Sequence, residues 1–375
     1  VSKDQKIAII GGGITGASIA YHLASTKSLN ISVLDADVAR GATRVAAGML
    51  APVAEAVYGE ERLLDTMLGA ARYWGELAEK LRDDFGLDVG LRNTGSLLIG
   101  ATPNDTVEIN RAKSFYDRLG LACTYLSKSE LDSIEPTLSP MISGGIFTEI
   151  DNQVDNRKAH IALIEASKRL GVDFVTHDAT QINRIGDSFE ISLEDETCIK
   201  ADKIVLAFGV TKDAIKGVPD FIYDSLRPVR GEVIRIRTNK FTPAPERIVR
   251  YLVEGRPGYI VPRLDGEIVI GATQEEKGFD ASTKVRSTYE LLRDALRVIP
   301  ALGEMEIAEI NVGFRPATND NFPILGQVEQ DLFCALGSFR HGILLSSIIG
   351  RGIAEMISGP TTSIELGLFT PNRLR

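Results

Sequence analysis

The sequence predicts an α/β chain in two intertwined lobes, one on a parallel sheet and one on a mostly antiparallel sheet. Three observations carry that expectation. Lys6 to Ile10 is a short apolar run that ends in glycines and leads into an amphipathic helix, Ala17 to Ser25, and strand-then-helix is the unit of a parallel sheet. From Val229 to Ile270 the pattern has period two, as in Val233-Ile234-Arg235-Ile236-Arg237, Tyr259-Ile260-Val261 and Ile268-Val269-Ile270, the alternation of antiparallel strands. Late in the chain Leu332 to Leu336 is again a short apolar strand, so the first lobe is completed from the C-terminal part.

The first turn is the most informative element. Gly11, Gly13 and Gly16, with Ile14 and Thr15 between them, lie between the strand and the helix, and Asp35 closes a second apolar run, Ile31 to Leu34. This is the dinucleotide fingerprint: glycines let the backbone approach a pyrophosphate at a helix N-terminus, and the acid accepts hydrogen bonds from a ribose. By itself it does not separate NAD from FAD.

The remaining elements follow in order. Gly59 to Phe85 has the stripe of a long amphipathic helix, with Trp74 expected to pack in the core. Gly95 to Gly100 reads as a strand and Asn104 to Leu119 as a helix. Ser127 and Glu130 have the spacing of a capping box. Asn156 to Leu170 is a helix; the runs at 174–176, 181–184, 189–193 and 203–208 suit a meander returning to the parallel sheet. Thr283 to Val298 is a helix and Glu306 to Phe314 a strand. A nucleotide lobe gathered from three separate pieces is the FAD arrangement, whereas an NAD lobe is usually continuous. The expected FAD-binding domain is 1–85, 140–225 and 310–375, and the substrate-binding domain 86–139 and 226–309.

Composition limits the partners. The 375 residues exceed one ordinary core, and 44% hydrophobic with 25% charged content is that of a soluble globular chain. A net charge of −9 without a basic run argues against nucleic acid. Cys123, Cys198 and Cys334 are sparse and isolated, which suits reduced thiols and a cytoplasmic location. The four histidines have no metal-ligand spacing. Val1 to Lys6 reads as too short and polar for an export signal, and Gly342 to Ile357, with Arg351 and Glu355, as a buried helix and no membrane span.

Three further segments bear on the cofactor. Gly41 to Leu50 is a loop of small residues against whose backbone a flat ring could lie. Ile204 to Gly209 is an apolar strand ending in a glycine, equally readable as core. Gly337 to Leu345 is a glycine-flanked turn that opens a long helix, whose N-terminus suits a partial negative charge.

With those blocks in place the sequence resembles the D-amino-acid oxidase superfamily of FAD-dependent amine oxidases, and within it the ThiO-type glycine oxidase branch. The blocks are the fingerprint, Ala46-Ala47-Gly48-Met49-Leu50, Gly258-Tyr259-Ile260-Val261-Pro262-Arg263, Gly313-Phe314-Arg315-Pro316-Ala317-Thr318-Asn319-Asp320, and Phe339-Arg340-His341-Gly342-Ile343-Leu344-Leu345. The resemblance implies a Rossmann-like lobe of the glutathione-reductase type beside a mostly antiparallel substrate lobe. It implies FAD held without a covalent bond. The fingerprint with Asp35 and Ala36 would hold its ADP half. Ala42, Thr43, Arg44, Ala47, Gly48 and Met49 would meet pyrophosphate and flavin, and the backbone of Thr180 the adenine. Gly209, Ser338, Phe339, His341, Gly342, Ile343 and Leu344 would complete the cofactor site.

For the substrate the resemblance implies Arg315 as carboxylate anchor, Tyr259 sharing that carboxylate and Arg340 closing the pocket. No catalytic acid or base is implied, since the flavin abstracts the hydride. The implied reaction turns glycine or a small N-substituted glycine, water and oxygen into glyoxylate, amine or ammonia and hydrogen peroxide, with a link to thiamine thiazole synthesis. A homotetramer follows by analogy. An oxidase of N-alkylglycines such as sarcosine shares every one of these motifs; a D-amino-acid dehydrogenase that passes electrons to a quinone and a tRNA-modifying flavoprotein are the further alternatives. Pro257, Gly258 and Gln274 depart from the branch pattern near the substrate side, and Asn156 stands where proline is usual.

Overall fold

A computed structural model describes residues 5–26, 29–38, 40–359, 362, 364 and 367–374. Residues 1–4, within the segment read as too short for an export signal, lie outside the described residues.

The strand Lys6–Ile10 is central to a six-stranded sheet. The spatial order is 324–329, 332–336, 203–206, 6–10, 30–34 and 173–175. All neighbours are parallel except the hairpin Ile324–Glu329 with Leu332–Leu336 at one edge. Both faces of this sheet are covered, which is why its strands read as unbroken Ile/Val/Leu runs. On one face pack the helices Ile14–Thr26, Leu64–Phe85, Asn156–Arg169 and Gly342–Ser358. On the other lies a three-stranded antiparallel sheet, Ala179–Ile185, Ser188–Leu193 and Cys198–Ala201. The runs expected at 181–184 and 189–193 are two of its strands, those at 174–176 and 203–208 fall in the six-stranded sheet, and Cys198–Ala201 is a further strand outside the expected runs.

The second sheet has eight strands in the order 306–318, 226–237, 267–271, 256–262, 248–253, 96–100, 144–148 and 124–127. Its pairs are antiparallel apart from Ile248–Val253 with Ser96–Gly100. Gly144–Thr148 and Glu306–Thr318 pair within this sheet, so its hydrogen bonding crosses the segment limits expected at 140 and 310. One face packs on the helix Val285–Val298. The other turns Val233, Ile248, Val261 and Val269 toward Ala47 and Met49 of the small-residue loop. The site lies along that second face.

Local signals set several element ends. The helix expected from Gly59 begins with a 3₁₀ turn at Glu61–Leu63 and becomes α-helical at Leu64, because Gly59 sits at φ +88° outside the helical region. It stops at Gly86, which is left-handed. The Ser127–Glu130 capping box forms, with the Ser127 N–H donating to Glu130 Oε2 at 2.7 Å. Among the described residues no helix is long and apolar enough to cross a membrane.

Candidate active site

The glycine turn is fixed by space as much as by conformation. A side chain at Gly16 would place Cβ 1.9 Å from the Gly11 carbonyl oxygen, and one at Gly11 (φ +105°) would meet the Ala207 oxygen at 2.5 Å. The helix therefore sits directly on the strand ends, with its N-terminal N–H groups exposed to the turn. The Gly12 N–H donates to Asp35 Oδ2 at 2.7 Å and the Ile14 N–H to the Thr43 hydroxyl at 3.0 Å. Thr43 thus joins the fingerprint to the small-residue loop. Ala36 N–H donates to Asp178 Oδ1 at 2.9 Å. Thr180 stands near this end, in the three-stranded sheet; its carbonyl accepts the Lys216 N–H at 3.0 Å and its hydroxyl donates to the Ser192 carbonyl. Gly209 is left-handed, with open space where a Cβ would be.

The loop from Ala42 to Met49 is held from outside by its carbonyls. Asn156 Nδ2 donates to the Thr43 and Arg44 carbonyls at 2.7 and 3.2 Å. Arg235 donates to the carbonyls of Arg44 and Ala46, both at 3.2 Å, and pairs with Glu267. Arg263 bonds the carbonyls of Ala47 and Val154, and Asn156 Oδ1. Both guanidinium groups are buried, and burial holds that of Arg263 down to about 10. Gly48 must be glycine: it is left-handed at φ +73°, and a Cβ would lie 2.1 Å from the Val154 oxygen.

Periodicity and motif do not mark these positioning residues in the sequence: Asn156 stands out only as a departure from proline, and Arg235 only as a strand residue. The available signal was an arginine on the alternation of an otherwise apolar strand, Val233-Ile234-Arg235, which demands a buried partner.

The second helix N-terminus is equally constrained. Gly337 (φ +72°) faces Thr318, Phe339 is left-handed at φ +46°, and the His341 N–H donates to the Ser338 carbonyl at 2.9 Å before the helix Gly342–Ser358 begins. Trp74, read as core packing, does more. Its indole N–H reaches the Ile343 and Leu344 carbonyls at 3.0 and 2.9 Å and pins the first turn of that helix.

Arg315 and Tyr259 share the sheet face turned toward the loop. Arg315 Nη1 donates to the Thr273 carbonyl at 3.1 Å, and its guanidinium lies where a Gly231 side chain would be. Tyr259 rests over Gly271, whose Cβ would meet the hydroxyl at 2.3 Å. Burial pushes the Tyr259 phenol up, against the opposing charge of Arg315. It is therefore a neutral donor at physiological pH, beside a cation.

The Arg340 guanidinium pairs with Glu60, Nη1–Oε1 at 3.3 Å and Nη2–Oε2 at 2.5 Å. His341 is buried, with Nδ1 3.4 Å from Glu55 Oε2 and Nε2 4.0 Å from Glu60 Oε2. Burial alone would raise both carboxyls, yet the His341 and arginine contacts hold them at about 2. Burial likewise opposes the imidazolium, and the two carboxylates overcome it and raise the His341 pKa.

A pH dependence follows. A raised histidine stabilises fully below its unfolded value of 6.5 and loses that contribution as pH rises through the folded value. The depressed carboxyls contribute above 4.5 and lose it only as pH falls through about 2. The difference in Tm between wild type and His341→Gln is therefore expected to be largest between about pH 4.5 and 6.5 and to shrink above it. A difference that is flat with pH contradicts a protonated His341.

The chain matches the DAO family, FAD dependent oxidoreductase, over residues 6–356, and it belongs to that family. It is 34% identical over 372 residues to the bifunctional protein ThiO/ThiG of Synechocystis sp., covering 98% of this chain and 54% of the relative. The chain thus spans about half the length of that relative. Its fold matches the crystal structure of glycine oxidase from Geobacillus kaustophilus with a TM-score of 0.86 at 27% identity, covering 98% of each chain. It matches iminodiacetate oxidase (IdaA) from Chelativorans sp. BNC1 with a TM-score of 0.85 at 26% identity, covering 97% of this chain and 98% of that one.

The residues present fit the family's FAD. They supply a side-chain-free cradle at Gly11 and Gly16, an acid at the ribose distance in sequence, a small-residue loop held from behind and a second helix N-terminus.

Proposed function

We propose that this flavoenzyme oxidises glycine or a small N-substituted glycine to glyoxylate, consuming water and oxygen and releasing ammonia or the amine with hydrogen peroxide. The observation that carries the reading is the pairing of Arg315 with Tyr259 on the sheet face opposite the small-residue loop. FAD, when bound, supplies hydride acceptance and the transfer of electrons to oxygen.

The protein's own share is positioning. Arg315 grips the substrate carboxylate with parallel charge-assisted bonds and the Tyr259 hydroxyl donates a further one. The anchored anion presents its α-carbon toward the loop. Arg340, tied to Glu60, and the 337–342 turn border the same space. No side chain is required as a general base, because a neutral amine has no N–H⁺ proton to lose before oxidation. The helix N-termini at Ile14 and Gly342 favour the pyrophosphate and the electron-rich edge of the flavin respectively.

The same reading includes the site residues inferred from the resemblance and the division of the chain into an FAD-binding and a substrate-binding domain. It also includes a cytoplasmic homo-oligomer, a tetramer by analogy, and a part in supplying glycine imine for the thiamine thiazole. FAD is held without a covalent bond, since neither 311–320 nor 41–50 contains a cysteine or histidine. Acid precipitation is expected to leave the yellow colour in the supernatant; colour in the pellet contradicts this.

The substrate test is peroxide release across glycine, sarcosine, N-ethylglycine and D-amino acids. Because one methylene is discriminated by only roughly 1–3 kcal/mol in an apolar pocket, the glycine derivatives are expected to compete with glycine. A steep preference for bulky D-amino acids over all of them overturns the reading.

A further inference from the structure

The face that carries Tyr259 and Arg315 carries another arginine, which the reaction above leaves without a task. Arg250 stands directly opposite Tyr259 in the pair of strands Ile248–Val253 and Arg256–Pro262, and directly opposed residues project from the same face. Ile248 and Val261 on that face pack toward Ala47, whereas Val249, Tyr251 and Ile260 pack on the opposite one. Arg250 is therefore turned to the cofactor loop. Arg315 reaches the same neighbourhood from the far side, through Thr273, two residues beyond the Gly271 that underlies the Tyr259 hydroxyl. The charges of both arginines bear on that hydroxyl.

Arg250 is poorly partnered for so enclosed a cation. Its side chain is 20% exposed, its ion pair with Glu55 is long at 3.8 Å, and Nε is buried with no hydrogen-bond partner among the described residues. Glu55 is itself shared with His341. Leaving a guanidinium donor unfilled away from water costs free energy, and a carboxylate meeting the fork of donors would remove that cost.

We propose that Arg250 receives a second anionic group of the substrate, so that the preferred class is an N-(carboxyalkyl)glycine, a secondary amine with a carboxylate at each end. Arg315 and Tyr259 hold the glycine carboxylate and Arg250 holds the other. Arg315 stands four strands from Arg250 in the sheet, about 19 Å between backbones at about 4.8 Å per strand, and its side chain reaches back across Gly231 toward Thr273, so the space between the two guanidinium groups suits an amine held by a carboxylate at each end. For N-carboxymethylglycine (iminodiacetate) the balance is substrate, water and oxygen to glyoxylate, glycine and hydrogen peroxide. The inference rests on the oxidase reading and narrows it.

The test compares iminodiacetate with N-propylglycine, whose tail is similar in size and uncharged, on the holoenzyme. The kcat/KM ratio is expected to favour iminodiacetate by about tenfold or more, the usual consequence of a charge-assisted pair. Arg250→Met should bring the ratio close to one, and Arg250→Lys should keep part of it. Binding is read without turnover from the flavin absorbance change on adding diglycolate or methoxyacetate, which are ethers with two carboxylates and one. Diglycolate should bind about tenfold more tightly to wild type, and the advantage should vanish in Arg250→Met. A wild-type ratio near one, or a ratio that Arg250→Met leaves intact, overturns the proposal. If Arg250→Met does not fold, the wild-type and Arg250→Lys ratios decide. Absence of peroxide from every glycine derivative would instead sink the oxidase reading, and the ether comparison would still judge Arg250.

Discussion

Arg315→Ala is expected to lower kcat/KM for glycine derivatives by roughly 10- to 100-fold, the range for loss of a bidentate charge-assisted contact. FAD should remain bound, because the hydrogen bond of the Arg315 guanidinium goes to the Thr273 carbonyl, which is not one of the residues that shape the cradle. Arg315→Lys is expected to recover part of the loss through charge while lacking the planar fork. Steady-state kinetics with the flavin content measured beside it separates the outcomes. Unchanged turnover removes Arg315 from the site, and loss of flavin assigns it a structural role.

Gly16→Ala should have the larger effect on the cofactor. The added Cβ would sit 1.9 Å from the Gly11 oxygen, and neither backbone segment can withdraw without lifting the helix Ile14–Thr26 from the strand Lys6–Ile10. Overpacking of this kind costs roughly 1–3 kcal/mol, and here it displaces the N–H groups that face the pyrophosphate. The variant is expected to purify with little or no yellow colour and with a Tm lower by several degrees. Gly75→Ala is the matched control: it lies in the helix Leu64–Phe85 with nothing within 4 Å of the new Cβ, and helix propensity predicts a neutral or slightly stabilising change. Full flavin content in Gly16→Ala contradicts the account of the turn.

Much of this architecture is legible in the chain because it is written locally. A glycine turn between an apolar strand and a helix, or alternation over Val233 to Arg237, follows from backbone sterics and from which faces are buried. The paired strand Ile248–Val253 was harder to see, since Arg250 interrupts its apolar pattern. What sequence could not supply is contact across the chain. Arg235 and Arg263 hold carbonyls about 190 or more residues away in sequence, and nothing in a strand's periodicity states which loop lies above it. The Glu55–His341–Glu60 cluster is likewise assembled by folding: His341 was readable as part of a helix-opening turn, but its two carboxylates come from the segment before the helix Leu64–Phe85. Arg340 shows the same limit, since its partner Glu60 lies 280 residues away.

The central claim is that an anchored amino acid reduces this protein's flavin and that oxygen takes the electrons back. Anaerobic addition of glycine or an N-substituted glycine to the yellow holoenzyme, followed by air, tests it in one cuvette. The flavin band should bleach, and air should restore it within seconds with about one peroxide formed per flavin, the stoichiometry of a two-electron cofactor. A band that no glycine derivative bleaches, or one that stays bleached in air for many minutes and recovers only with a quinone, contradicts the account.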